Sequence, residues 1–186
     1  MKKESNIKRL LSFGKGYERL TVLGCILAGV AEIFALISYY YIWKIIKEIF
    51  LPNGGISNYS AMIHYGWMAV IFAIIYIGVY FTGLMCTHIS AFHIAGNIRT
   101  YGMEHLLSLP LGYFDGKESG TLRKIIDDNA NLTEDMLAHK LADSAASMVT
   151  PVVSIVFLFL FDWKMGLICL GFMVASALMI ATMMTG

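Results

Sequence analysis

Four apolar stretches, each of about twenty residues, leave this chain little freedom in fold class. They cover residues 20–43, 67–89, 141–161 and 165–185. At a rise of 1.5 Å per residue, about 20 helical residues cross a hydrocarbon core of about 30 Å. No water reaches backbone N–H and C=O groups there, so each stretch must bond internally as a helix. Composition agrees. Charged residues make up 15% of the chain and the mean hydropathy is +0.67, whereas an ordinary soluble domain carries about 25% charged residues. The expected fold is all-α: a polytopic membrane helical bundle of four transmembrane helices with long cytoplasmic extensions. The first stretch is too long for a cleaved leader, and no small-residue cleavage pattern follows it. Membrane lipid is therefore the first expected partner. The formal net charge of +1 says nothing about nucleic acid, which is not expected to bind.

Cation placement sets the expected orientation. Lys2, Lys3, Lys8, Arg9, Lys15 and Arg19 precede the first stretch, and Arg99, Lys117, Arg123, Lys124 and Lys140 lie around the loop between the second and third. Only Lys44, Lys47 and Lys164 fall on the other side. This asymmetry places the N-terminus and that loop in the cytoplasm, within a multi-pass protein of the cell membrane. Trp43, Trp67 and Trp163 then all fall at the outer interface, where indole rings anchor. Residues 1–19 read as a short basic amphipathic helix on the membrane surface, with Ile7, Leu10 and Leu11 at helical spacing.

The loop 106–122 is the densest run of turn and charge signals. Pro110 should end the helix before it, and Gly112, Gly116 and Gly120 should permit tight turns. Tyr113 and Phe114 are adjacent aromatics in a polar bend, which suits a docking surface better than a solvated loop. A helical pattern resumes at Leu122, Ile125 and Ile126. Leu-Pro-Leu-Gly-Tyr-Phe-Asp at 109–115, Ser-Gly-Thr-Leu at 119–122 and Ile-Ile-Asp-Asp-Asn at 125–129 resemble the first intracellular loop of ABC exporter-type (type IV) transmembrane domains. Family members more often have Glu where this chain has Thr121. Helix order and spacing extend the resemblance over essentially the whole chain.

That resemblance implies a division of labour. Residues 1–19 would be the elbow helix, and 20–186 part of a transmembrane domain that moves a substrate by alternating access. The loop 106–122 would rest on a nucleotide-binding domain, with Tyr113, Phe114 and Asp115 passing on the ATP-driven motion. ATP and Mg would be bound by that domain, outside this chain. A second transporter subunit, identical or not, would complete the assembly. Family members have six spans, and this chain ends as the fourth reaches the cytoplasm, so a truncated sequence is expected. No catalytic site is expected within it. A phosphate loop needs four residues between an earlier glycine and the Gly-Lys pair, and Ser or Thr after the lysine. Gly112 misses that spacing, and Glu118 follows Lys117. Two alternatives stay open: a four-span scaffold with no ATPase partner, and an importer of exporter-like architecture.

Cavity candidates follow from polar residues inside the stretches. Glu32 is costly in mid-membrane and should face the bundle interior. Ala28, Gly29 and Ala35 beside it mark close packing, while Val30, Phe34, Ile37 and Tyr41 on the opposite face should meet lipid. Glu32 and Tyr39 could line a translocation cavity, or Glu32 could be a protonated acid bonded to a neighbouring helix. Ala69, Ala73, Tyr76, Tyr80, Gly83, Thr87 and Ser90 form one stripe of the second stretch. It reads as an aqueous path, with Tyr76 and Tyr80 facing substrate, or as helix packing. Pro151 should kink the third helix among Asp143, Ser144, Ser147, Thr150 and Ser154. The methionines of the fourth suit lipid or varied apolar ligands. Cys86, His88 and His93 do not share a helix face, so no metal site is expected. Cys25, Cys86 and Cys169 show no disulfide or CxxC spacing.

Overall fold

The computed structural model describes residues 6–50, 58–115 and 119–185. Among them six α-helices follow in order: α1 Asn6–Leu11, α2 Glu18–Phe50, α3 Tyr59–Leu107, α4 Ser119–Asp135, α5 Leu141–Phe161 and α6 Trp163–Thr185. Short 3₁₀ turns occupy Ser12–Gly14 and Leu111–Phe114, and a π-helical turn at Met136–Lys140 joins α4 to α5. No strand forms among the described residues. Four helical runs are long and apolar enough to cross a membrane: Glu18–Phe50, Tyr59–Leu107, Gly120–Phe161 and Trp163–Met183. The fold is an all-α polytopic membrane bundle. The expected elbow helix falls on α1 and its 3₁₀ turn, but residues 1–5 and the side chains of residues 6–8 lie outside the described residues.

Backbone contacts divide the chain into two units, Met1–Ala31 with Ile74–Ala146, and Glu32–Ala73 with Ser147–Gly186. In the first unit, α2 and α3 meet through glycines. A Cβ on Gly24 would lie 2.5 Å from Thr87 Cγ2 and 2.6 Å from the Gly83 carbonyl oxygen, and one on Gly83 would lie 3.0 Å from the Gly24 carbonyl oxygen. Only residues lacking a side chain allow two backbones so close. Ser90 Oγ donates to the Tyr17 carbonyl at 2.7 Å. That uses its one proton, so Thr21 is the donor in the 2.7 Å Thr21–Ser90 contact. Thr87 Oγ1 stands 2.8 Å from the Ala138 carbonyl oxygen. Interhelical bonds of this kind contribute only about 0.6 kcal/mol each, so close packing carries more of the association. A core of Ala91, Ile94, Leu137 and Ala138 receives Leu10, Leu11 and Phe13 from the N-terminal segment. Asn97 Nδ2 secures that segment by donating to the Phe13 carbonyl at 2.7 Å.

The stripe on α3 is therefore largely packing. Gly83, Thr87 and Ser90 are buried against α2 and the π turn. The π turn inserts one extra residue, with Leu141 N–H bonding to the Met136 carbonyl.

In the second unit, Ser38 Oγ donates to the Ala69 carbonyl at 2.9 Å. Phe34 and Tyr41 stack on Phe72 with ring centroids 6.4 and 5.7 Å apart. This corrects the expectation that the Phe34, Ile37 and Tyr41 face meets lipid: all three are half-buried. Ala69 lets α3 approach, and the large rings fill the space on either side. Val30 is exposed as expected. The reversal from α5 to α6 uses a single non-helical residue, Asp162. Its Oδ1 accepts the Lys164 N–H at 2.9 Å and its carbonyl accepts the Gly166 N–H at 3.0 Å, an N-cap that begins the next helix at once. Gly166 fits beneath the Phe159 ring, which a Cβ would approach to 2.8 Å.

Candidate functional site

The loop begins where α3 ends. With 49 residues, α3 is about 74 Å long, more than twice the hydrocarbon core. It stops at Leu107, and Pro110 is extended at φ −64°, ψ 149°. Ser108 closes the last turn, its Oγ donating to the His105 carbonyl at 2.7 Å. The Leu111–Phe114 turn then forms on Pro110, whose carbonyl accepts the Tyr113 N–H at 2.9 Å. Gly112 lies in this tight turn, as expected, whereas Gly120 lies in α4 and makes none; Gly116 lies outside the described residues. Helical and 3₁₀ backbones need only negative φ, which any residue adopts. Among the described residues positive φ occurs instead at Lys15 (45°) and Gly16 (109°), where the chain swings into α2.

Tyr113 and Phe114 pack edge-to-face with centroids 5.5 Å apart. Tyr113 is 39% exposed and Leu111 88% exposed. Phe114 is half-buried, and Asp115 is exposed on extended backbone. The result is a small apolar knob with a carboxylate at its edge. On both sides of it the flanking helices are tied together by Arg99 of α3. Its Nη2 donates to Asn131 Oδ1 at 2.6 Å, and the guanidinium lies 3.5 Å from Glu134 and 3.8 Å from Asp127 of α4. A Cβ on Gly102 would lie 3.1 Å from Ile126, so the two helices also touch there. Sequence reasoning missed this hub. Its signal was present in Asp127, Asn131 and Glu134, which share one face of α4.

A model of the transmembrane region of ABC transporters matches residues 21–185. The chain belongs to the ABC transporter transmembrane family. Curated relatives include the mycobactin import ATP-binding/permease protein IrtA of Mycobacterium tuberculosis, 31% identical over 84 residues, which are 45% of this chain and 10% of that protein. Its Mycolicibacterium smegmatis counterpart is 29% identical over 81 residues, 44% of this chain and 9% of that protein. The ABC multidrug transporter atrD of Emericella nidulans is 30% identical over 86 residues, 46% and 6% respectively. The matched stretch of this chain thus spans a tenth or less of each relative.

The cavity candidates of this ABC transmembrane region fall in both units. In the first, Tyr76 stacks on Tyr80 at 5.9 Å, and Tyr80 donates to Asp143 Oδ1 of α5 at 2.9 Å. In the second, half-buried Glu32 accepts a 3.1 Å hydrogen bond on Oε2 from Thr150 Oγ1. Glu32 is thus bonded to a neighbouring helix. Tyr39, 64% exposed, lines a groove of about 730 Å³ with Leu36, Tyr40, Trp43, Lys47, Ser154, Phe157, Leu158, Phe161, Asp162 and Met165. Glu32 is not part of that lining. The rings of Tyr40, Trp43 and Phe161 cluster with centroids 5.0 to 6.1 Å apart. Cys25, Cys86 and Cys169 are free thiols. His88 meets His139 edge-on at 4.6 Å and His93 stacks on Tyr17 at 3.9 Å, so the two histidines have separate surroundings.

Proposed function

We propose that this chain forms part of the membrane path of an ATP-driven transporter, and that the loop 106–122 couples it to a nucleotide-binding domain. The observation that carries this reading is the exposed Leu111–Phe114 knob, placed at the end of a long helical extension in a chain of the ABC transmembrane family. Tyr113 and Phe114 act as the gripped surface and Asp115 as a polar contact at its edge. Arg99 joins α3 to α4, so a push on the knob moves both helices together. A second subunit, bilayer lipid and a location in the cell membrane with the N-terminus in the cytoplasm belong to the same proposal. ATP with Mg supplies the driving free energy when bound to the partner domain. Gly116-Lys117-Glu118 lacks the phosphate-loop pattern, so none of this chain's residues is assigned to nucleotide chemistry. Glu32, Tyr39, Tyr76 and Tyr80 are the path-lining residues of the proposal.

The test is Phe114→Asp in the complete transporter, reconstituted with its ATPase. Transport should fall by more than about tenfold, as expected on losing an interface anchor, while basal ATP hydrolysis persists. Transport at the normal rate would remove the coupling role from this turn. An assembly that never hydrolyses ATP would favour a scaffold. Import is the second reading, favoured by the names of the mycobactin relatives. Vesicles of defined sidedness separate the two directions.

A further inference from the structure

We infer that the groove of the second unit is a resident site for one zwitterionic phospholipid of the surrounding bilayer. Its depth, lining and charge lead there independently of the coupling proposal. Along α2 it runs from Leu36 to Lys47, about three turns or roughly 16 Å. Half of a ~30 Å hydrocarbon core is about 15 Å, so the groove is one leaflet deep. Its walls are apolar and aromatic, with Trp43 and Phe157 among them, and they suit an acyl chain. Its volume of about 730 Å³ lies within the range of natural small-molecule sites, about 300–1,000 Å³.

The charges lie together at one end. Lys47 is in the last turn of α2, and Asp162 forms the reversal between α5 and α6. Lys47 Nζ stands 5.4 Å from the Trp43 ring centroid, at the mouth, where it can meet a phosphate. Asp162 uses one carboxylate oxygen as a helix cap and keeps acceptor capacity for an ammonium. One cation and one anion at the same mouth match a headgroup that carries both signs. A purely anionic headgroup would meet Asp162 unfavourably.

The experiment places a benzophenone amino acid at Phe157 in the intact transporter, reconstituted in vesicles of equimolar phosphatidylethanolamine and phosphatidylglycerol. A reference position is Leu178, exposed on α6. After illumination, adducts are identified by mass spectrometry. Phe157 should capture phosphatidylethanolamine in excess over the Leu178 ratio by at least about threefold, the effect of one charge contact in a wet site. Asp162→Asn should return the ratio toward that of Leu178, whereas Lys47→Ala, which removes a phosphate contact common to both lipids, should lower total lipid capture at Phe157 without abolishing the preference. Equal ratios at the two positions, with both charges in place, would overturn the proposal, since they mean unselective bilayer contact. Adducts to protein alone would also overturn it, since another protein segment would then fill the groove. Both of these outcomes are read with Lys47 and Asp162 intact, so neither depends on how well the charge variants fold.

Discussion

At the scale of single residues, Gly24 is the position with least room. A methyl group there would sit 2.5 Å from a side-chain carbon and 2.6 Å from a backbone oxygen. The oxygen belongs to Gly83 and cannot move without shifting α3. Gly24→Ala should therefore destabilise the membrane domain by about 1–3 kcal/mol, the cost of overpacking. Gly66→Ala is the counterpart, since nothing lies within 4 Å of the added atom. In a helix interior that change should be neutral or stabilising by up to about 1 kcal/mol. Denaturant titrations of the two purified variants should therefore show a lowered midpoint for Gly24→Ala and an unchanged or raised one for Gly66→Ala. Glu32 shows what sequence can and cannot say at this scale. The cost of a carboxylic acid in mid-membrane points inward wherever its neighbours lie. Its partner, Thr150, stands 118 positions away, and no local pattern names it.

At the scale of elements, Arg99 and Arg123 make a useful pair. Arg99 joins α3 to Asp127, Asn131 and Glu134 of α4. Arg123 reaches Asp127 within its own helix, at 3.6 Å. All these side chains are at least 30% exposed, so solvent screening keeps each ion pair modest. Arg99→Gln should cost about 1 kcal/mol of docking between the helices, seen as roughly fivefold faster amide exchange in α4. Arg123→Gln should leave that exchange nearly unchanged. The elements themselves were legible, because length and apolarity decide a spanning helix and Pro110 marks the end of α3. Three features were not. The π turn at Met136–Lys140 has no sequence signal of its own. Gly120 read as a turn because glycine permits positive φ, yet a permission is not a requirement, and it lies in α4. The bulky face of α2 read as lipid-facing because the approach of α3 over Ala69 is a tertiary fact.

At the scale of the whole molecule, the sidedness proposed from eleven cations against three is open to a direct check. Leu111→Cys and Ser12→Cys should be labelled by a membrane-impermeant maleimide from the same side, and Asn58→Cys from the other. All three positions are exposed. Labelling of Leu111→Cys from the Asn58 side would place the aromatic knob outside the cell and end the coupling proposal. The reversal at Asp162 also bears on how force passes through the bundle. One intervening residue leaves two Cα–Cα steps, at most about 7 Å, between the last residue of α5 and the first of α6. With so short a tether the pair behaves like the tines of a fork, and a stroke entering one passes to the other at their shared end.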